Sequence, residues 1–400
     1  VNFEYIDRPA ALAEICRRIV AAELIAFDTE FVSEDRFRPE LCLIQTVIDD
    51  CVALIDGITI RELLPFWKAL TESSAVLVTH AARAEFLFAY EATGRRLPNL
   101  FDVQIAAGFA GLEYPAAYST LVQRLVGAQL DKKETRSDWR RRPLSSLQLE
   151  YAVQDVAHLP KIHNVLNDQL RELGRWEWLR DEMGEWQDQL IQAEYQEPWR
   201  RLSGFAGLSQ RSMAIAARLW EWREQAAEKR NIPVRRVLRD DLLVELARRE
   251  AFKLQQLKLL RGMERRNYDR DLPEIAAVVA AAIQSPKDQW PAKPKWTAAT
   301  PEFNLLGQFL HSALSILCRD LGLSTALVGT AQDLRKLVAW HLKVSESPEP
   351  PRLARGWRAK IVGNTIQDML TGRWAIAVEN PLDEQPLRLL STDRPASSTT

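Results

Sequence analysis

Two acids, Asp28 and Glu30, lie inside LIAFDTEFV (residues 24–32), a run that is otherwise mostly apolar. In an extended chain alternate side chains share a face, so the two carboxylates project together while Phe27, Thr29 and Phe31 point the other way. Like charges so placed repel and lose hydration unless a cation stands between them. Oxygen ligands without a His or Cys cluster suit Mg²⁺ or Mn²⁺ better than zinc. Taken alone, a D-x-E spacing favours the plainer reading of a strand edge whose acids face solvent. A second pair changes that weighting. In LEYAVQDVAHLPKIH (149–163), Tyr151 and Asp155 stand four apart, one turn of a helix, on a face that continues into a core through Val156, Leu159 and Ile162. Tyr-x3-Asp is common, but together with the strand acids in the same unit it becomes specific.

The elements that must position these groups read as an α/β unit over the first 170 residues. Runs 24–32, 41–48, 51–56 and 75–80 have the Val, Ile, Leu and Phe content of strands, and 60–70, 82–93 and 145–173 have helical spacing. Strands separated by helices imply a sheet covered on both faces, and the short Asp49-Asp50 link implies an antiparallel hairpin. After about residue 190 the strand signal ends and Leu, Ala, Trp and Arg recur at helical spacing. The expected division is 1–190, a helical unit over 200–285, a Pro, Lys and Trp linker over 286–303, a second helical unit over 304–390, and a disordered Ser/Thr-rich tail over 391–400.

Bulk properties exclude more than they select. The chain has 400 residues, 46% hydrophobic and 27% charged, and a formal net charge of -1, so no global polyanion preference is visible. Residues 201–270 carry seventeen Lys and Arg against nine Asp and Glu, an excess consistent with a polyanionic partner or with a solvated helical surface. Cys16, Cys42, Cys51 and Cys318 have no C-x-x-C spacing, which argues against a zinc site or a disulfide framework. Neither a signal-peptide pattern nor a membrane-length apolar run is evident, giving a cytoplasmic expectation with no membrane partner.

The order FDTEF, then THAARAEFLFAYEATGRRLPNLFDVQIAAGFAG, then RSDWRRRPLSSLQLEYAVQDVAHL resembles the ribonuclease D family, 3′–5′ exonucleases of the DEDD superfamily, Tyr subclass. The resemblance covers about residues 1–190. It implies a ribonuclease-H-like mixed sheet with flanking helices and two divalent ions, Mg²⁺ or Mn²⁺, held by four acids. It also implies a Tyr that orients the attacking water. Carried over by position, Asp28, Glu30 and Asp155 are ligands and Tyr151 is the water-positioning residue. The third acid of the family pattern is an Asp, and here Glu85 stands in its place. The extra methylene would be absorbed by a helix tilt, would turn a direct ligand into a water-mediated one, or would weaken the second ion. Asp102 is a fallback acid, better read as structural support.

The implied reaction is in-line hydrolysis that releases 5′-mononucleotides from RNA with a single-stranded 3′ end, tRNA precursors being the family's best-known substrate class. The alternatives are a 3′–5′ DNA exonuclease and an RNA-binding protein with a weakened nuclease site. Lys132, Lys133, Arg136, Arg140, Arg141 and Arg142 precede the Tyr151 helix and read as backbone contacts for the nucleic acid, Arg142 less firmly than the others. Trp139 reads as a stacking residue or an anchor, and Phe31 as core. ARLWEWREQAAEKRNIPVRRVLRDDLLVELARREAFKLQQLKLLRGM (217–263) resembles an HRDC module, implying an all-α bundle able to bind nucleic acid over roughly 205–285, and 304–376 reads as a diverged second copy. The chain is expected to act as a monomer.

Overall fold

A computed structural model describes residues 2–130, 137–250, 253–263, 268–292, 301–345 and 348–392. The first part of the chain runs β1 (Phe3–Ile6), α1 (Pro9–Ala21), β2 (Leu24–Val32), β3 (Glu40–Ile48), β4 (Cys51–Asp56), α2 (Leu64–Glu72), β5 (Val76–Thr79), α3 (Arg83–Thr93), β6 (Leu100–Asp102), α4 (Val103–Phe109), α5 (Tyr118–Leu121), α6 (Ser146–Ala157), α7 (Leu159–Glu172) and α8 (Trp176–Ile191). One mixed sheet results, in the order β1-β4-β3-β2-β5-β6. The acid-bearing strand β2 lies inside it, antiparallel to β3 and parallel to β5. The Asp49-Asp50 link closes the β3–β4 hairpin with both residues at positive φ, 51° and 62°, the conformation of a two-residue turn that matches strand twist. Strands β1 and β6 have four and three residues, too short to show a period in the sequence.

The stretch 145–173 is not one helix. Ser145 caps α6 through a reciprocal pair with Gln148, and α6 ends at His158, where Pro160 opens the first turn of α7. Proline lacks an N–H and clashes with the preceding turn, so it starts helices and interrupts them. The segment before α6 is pinned to the sheet by a buried charge. Asp56, 1% exposed, accepts from Arg142 Nη2 at 2.6 Å and Nε at 2.7 Å, from Tyr5 Oη at 2.8 Å and from Thr59 Oγ1 at 2.8 Å. Burial alone would raise the Asp56 carboxyl, but these donors outweigh it and hold the group well below the usual carboxylate range.

The remainder comprises α9 (Gln210–Arg230), α10 (Val234–Val237), α11 (Asp240–Arg249), α12 (Leu254–Lys258), α13 (Leu272–Gln284), α14 (Pro301–Asp320), α15 (Thr325–Val328), α16 (Ala331–His341), α17 (Gly356–Val362), α18 (Thr365–Leu370), β7 (Trp374–Val378) and β8 (Leu387–Ser391). Helices α9, α11 and α13 enclose a core of their own with Phe205, Leu219, Leu243, Leu257 and Ile275. The last unit does not: Leu310, Leu314, Leu337, Trp357 and Ile366 belong to the same apolar cluster as the sheet. Two expectations are corrected. Helix α14 begins at Pro301, inside the stretch read as linker, of which 293–300 lie outside the described residues. The unit read as helical to 390 ends in the antiparallel pair β7–β8, where Trp374, Ile376 and Leu389 pack on the core with strand period. The tail from 393 lies outside the described residues. Among the described residues no helix is long and apolar enough to cross a membrane.

Replacing Arg142 with Met leaves the Asp56 carboxylate buried without its cation. The expected loss is about 3–5 kcal/mol in a urea unfolding series at pH 7, the range for breaking buried pairs. Because the Asp56 pKa is lowered on folding, its contribution is present above about pH 4 and fades as pH falls below that. Asp56→Asn should therefore flatten the acid limb of the stability profile, and an unchanged limb would show that the pair adds nothing.

Candidate active site

Four carboxylates and one phenol from β2, α3 and α6 meet at one end of the sheet. Asp28 and Glu30 enter from β2, with a register shift against β3 between Glu30 and Phe31, beyond which pairing resumes at Phe31 and Leu41. Glu85 enters from the first turn of α3 and is 3% exposed, so it is not a surface helical Glu. Its approach is set by Asp102, whose carboxylate accepts from the backbone N–H groups of Ala81 (3.1 Å), Ala82 (2.9 Å) and Gln104 (2.8 Å). Ala81 sits at φ 58°, and the Asp102 clamp stabilises this tight turn between β5 and α3. Asp102 thus works through the backbone as support, the part expected of it.

The extra methylene of Glu85 has a visible use. Its Oε1 accepts from Thr29 Oγ1 at 2.6 Å, and its charge lies close enough to raise Asp28. Thr29, the residue between the two strand acids, therefore reaches the site although strand alternation points it away from them. Nothing in the sequence signals that contact, because it depends on how far the Glu85 chain extends. Tyr151 and Asp155 lie one turn apart on α6 as expected, and the phenol is near enough to offset part of the rise of the Asp155 carboxyl. The Tyr151 ring rests against Trp139, with centroids 6.0 Å apart, and Trp139 is 4% exposed, so that Trp is an anchor. Tyr118 was not anticipated. Its hydroxyl donates to the Gln154 carbonyl at 3.2 Å, and its phenol lies within the field of Asp155 and Asp28.

Electrostatics report the crowding. Burial, then the charge of Asp155, then that of Glu85 push Glu30 up to about 8. Burial pushes Asp155 up to about 7 against the opposing bond from Tyr151. Asp28 is raised well above the usual carboxylate range by burial and by Glu85, Asp155 and Glu30, and Glu85 is raised chiefly by burial. The Tyr151 phenol is pushed up by burial and by Asp155, so it stays protonated and donates. As the side chains stand, no three His, Cys, Asp or Glu among the described residues form a ready cage for one ion. The donor set nonetheless fits hard divalent cations: four oxygen ligands, no thiolate or imidazole, and raised carboxyl pKa values that a cation would bring down.

Beside these acids a cleft of about 1080 Å³ opens between the sheet domain and the α9–α13 unit. Phe31, Phe37, Phe88, Tyr90, Tyr195 and Trp220 line it. Phe31 is 37% exposed, lines the cleft and packs edge-on against Phe88, so it is not core. The cleft arginines are largely engaged: Arg83 and Arg201 with Glu194, Arg38 with Glu91 and Glu228, and Arg223 and Arg235 with Asp240.

Residues 3–171 match a family model described as 3′–5′ exonuclease, and 212–279 match the HRDC domain model. Ribonuclease D of Bartonella henselae is 31% identical over 365 residues, covering 90% of this chain and 88% of its own. That of Sphingobium indicum is 32% identical over 381 residues, covering 92% and 95%. The chain belongs to the ribonuclease D family. Among solved structures, Escherichia coli RNase D, described as an exoribonuclease involved in structured RNA processing, superposes with a TM-score of 0.80 at 28% identity, covering 93% of this chain and 99% of its own.

Against the ribonuclease D pattern, the basic run before α6 requires a different account. Lys132, Lys133 and Arg136 lie outside the described residues. Arg140 forms ion pairs with Asp35 at 2.8 Å and Glu40 at 2.9 Å, so its charge holds the β2–β3 loop. Arg142 is spent on Asp56, and Arg141 remains exposed.

Acids whose pKa rises on folding bind extra protons in the folded state, so stability should fall as pH climbs from about 4 toward the folded values near 7 and 8. In chelator the melting temperature is expected to drop between pH 6 and 9, with Mn²⁺ restoring most of the loss at the alkaline end. A thermal scan that is flat across this window, with and without Mn²⁺, would contradict the electrostatic account.

Proposed function

We propose that the chain is a metal-dependent 3′–5′ exoribonuclease that shortens structured RNAs, such as tRNA precursors, from a single-stranded 3′ end and releases 5′-mononucleotides. The observation that supports the reading is the meeting of four acids and one phenol at one buried point, in a chain that follows ribonucleases D over nine-tenths of its length. Asp28, Glu30, Glu85 and Asp155 would hold two divalent ions, Mg²⁺ or Mn²⁺. When bound, the ions supply positive charge that activates water and stabilises the leaving 3′ oxygen.

The protein's own groups do the positioning. Tyr151, protonated by virtue of its raised pKa, donates a hydrogen bond and so orients the attacking water instead of removing its proton. Thr29 and the α3 N-terminus hold Glu85 toward Asp28, and burial around Glu30 and Asp155 excludes bulk water from the reacting phosphate. The aromatic cleft would receive the nucleotides upstream of the scissile bond by stacking, which suits single strands of any sequence. In this reading the chain acts as a cytoplasmic monomer with an exonuclease domain over 1–190, an HRDC domain over 200–285 and an HRDC-like unit from 301.

A time course on 5′-labelled RNA bearing a 3′ single-stranded tail tests the proposal. With Mg²⁺ or Mn²⁺ the expected product is a one-nucleotide ladder that stops near a stable stem, and chelator abolishes it. Asp28→Asn should lower the rate at least a thousandfold while RNA binding stays within a few-fold, and Tyr151→Phe should cost on the order of tenfold to hundredfold in kcat. An unchanged Asp28→Asn rate would refute the site. Tyr195→Ala, in the cleft and remote from the acids in sequence, should weaken binding of a ten-nucleotide RNA by about 1–3 kcal/mol, read by fluorescence anisotropy, and leave dinucleotide cleavage unaltered.

A further inference from the structure

Gln45 is 0% exposed, and it is the residue among those described whose side-chain amide is buried with neither Nε2 nor Oε1 hydrogen-bonded. Buried amides almost always find partners, so an amide orphaned at both ends asks for an explanation. Its place in the sheet offers one. Gln45 pairs directly with Asp28 across the antiparallel β2–β3 ladder, and opposed residues on paired strands project to the same face with Cβ atoms about 4.5–5.5 Å apart. On its other side Gln45 faces Leu54 of β4. One lateral neighbour is thus a carboxylate and the other a leucine, and only the first can use an amide. Helix α6 packs over β2, β3 and β4 on this face, as the coupling of Asp155 to Asp28 requires, so Gln45 lies beneath the elements that build the site.

A residue that only filled this position would be better apolar: Met or Leu matches the volume with no polar atoms to strip of water. An amide offers two N–H donors suited to a carboxylate oxygen and a carbonyl suited to a water, and Mg²⁺ retains part of its hydration shell when bound by protein. We propose that Gln45 is a positioning residue for the metal centre: its amide N–H groups hold the Asp28 carboxylate in one rotamer when a divalent ion is bound, and its carbonyl accepts from water at the ion. The inference rests on the reading of Asp28 as an ion ligand. It adds a group on a different strand whose action passes through Asp28 and not through contact with RNA.

The test is Mn²⁺ binding by the full chain without RNA, read from the electron paramagnetic resonance signal of free Mn²⁺, together with melting temperature in chelator. Gln45→Met should weaken Mn²⁺ binding by about tenfold to hundredfold, the usual cost of losing a partner behind a metal ligand, and should leave the melting temperature equal or higher. Its kcat should recover at high Mn²⁺ while KM for RNA stays unchanged. Unaltered Mn²⁺ affinity overturns the inference, and so does a loss of affinity that comes with a lowered melting temperature, since a purely structural amide would move both. Asp28→Asn separates this from the underlying reading. If Asp28→Asn abolishes Mn²⁺ binding and Gln45→Met does not alter it, only the role of Gln45 fails; if neither variant alters it, the metal-site assignment fails with it.

Discussion

Mutual repulsion among Asp28, Glu30, Glu85 and Asp155 is the constraint on which the arrangement of this chain turns. Four carboxylates withdrawn from water at one point would separate or stay protonated if left to themselves, and their raised pKa values record that tension. A fold can keep such groups together only if each is carried by an element that cannot give way. Strand β2 meets this need by lying between β3 and β5, bonded on both sides. Helix α3 meets it through the Asp102 clamp on the turn before it, and α6 through the Ser145 cap and the Arg142–Asp56 pair that fixes the segment leading into it. The polar devices of the core are thus concentrated on the roots of the acid-bearing elements.

The two helical units are attached in different ways, and the difference bears on access to the site. The last unit merges with the sheet core, and its contact is reinforced by charge: Glu182 of α8 receives Arg352 and Arg358 at 2.8 Å and Trp357 Nε1 at 3.1 Å, with Arg358 1% exposed. Removing one member would strand the others without water, so this seam opens only at high cost. The α9–α13 unit keeps a separate core and meets the sheet domain through Phe37, which packs on Ala226, Ala227 and Val237, and through exposed ion pairs such as Arg38 with Glu228. Exposed pairs of this kind contribute little. The aromatic cleft lies along this lighter seam, where two independently packed bodies can adjust their spacing around a strand.

What was legible in the sequence follows from how local each signal is. The run 24–32 and the hairpin at Asp49-Asp50 announce themselves through alternation and two turn-forming residues, and the bounds of β2 are those the pattern gives. The acids on β2 and the Tyr151–Asp155 turn were likewise visible, because strand and helix periods fix which residues share a face. The misreadings arose where position depends on distant chain. Phe31 reads as core by alternation, yet the neighbourhood it points into is the cleft lined also by residues of the α9–α13 unit. Arg140 and Arg142 read as free positive charge, yet Asp35, Glu40 and Asp56, far away in sequence, take them up. Thr29 and Tyr118 carry no motif at all, and their places at the site emerge only when α3 and α5 are packed. The β7–β8 pair escaped notice because five-residue strands of Leu and Ala resemble short helical segments until a partner shows the period.

The way positive charge is spent also limits how this chain can hold RNA. In most nucleic-acid interfaces arginines and lysines neutralise phosphates and release condensed counterions, and affinity falls steeply with salt because that release gains less at higher salt concentration. Here the arginines around the cleft are already paired with acids of the protein, and the net charge of the chain is -1. A phosphodiester entering the cleft would have to displace an internal carboxylate to gain a guanidinium, an exchange with little net gain. The bases face a better surface, since the aromatic rings of both bodies are available to stack. Cations bound among the four acids would then add positive charge at the reacting phosphate, while the aromatic cleft holds the rest of the strand. Binding and chemistry are thereby divided between two places: the rings of the cleft carry the affinity, and the four acids, neutral to a polyanion only when a cation offsets them, carry the reaction.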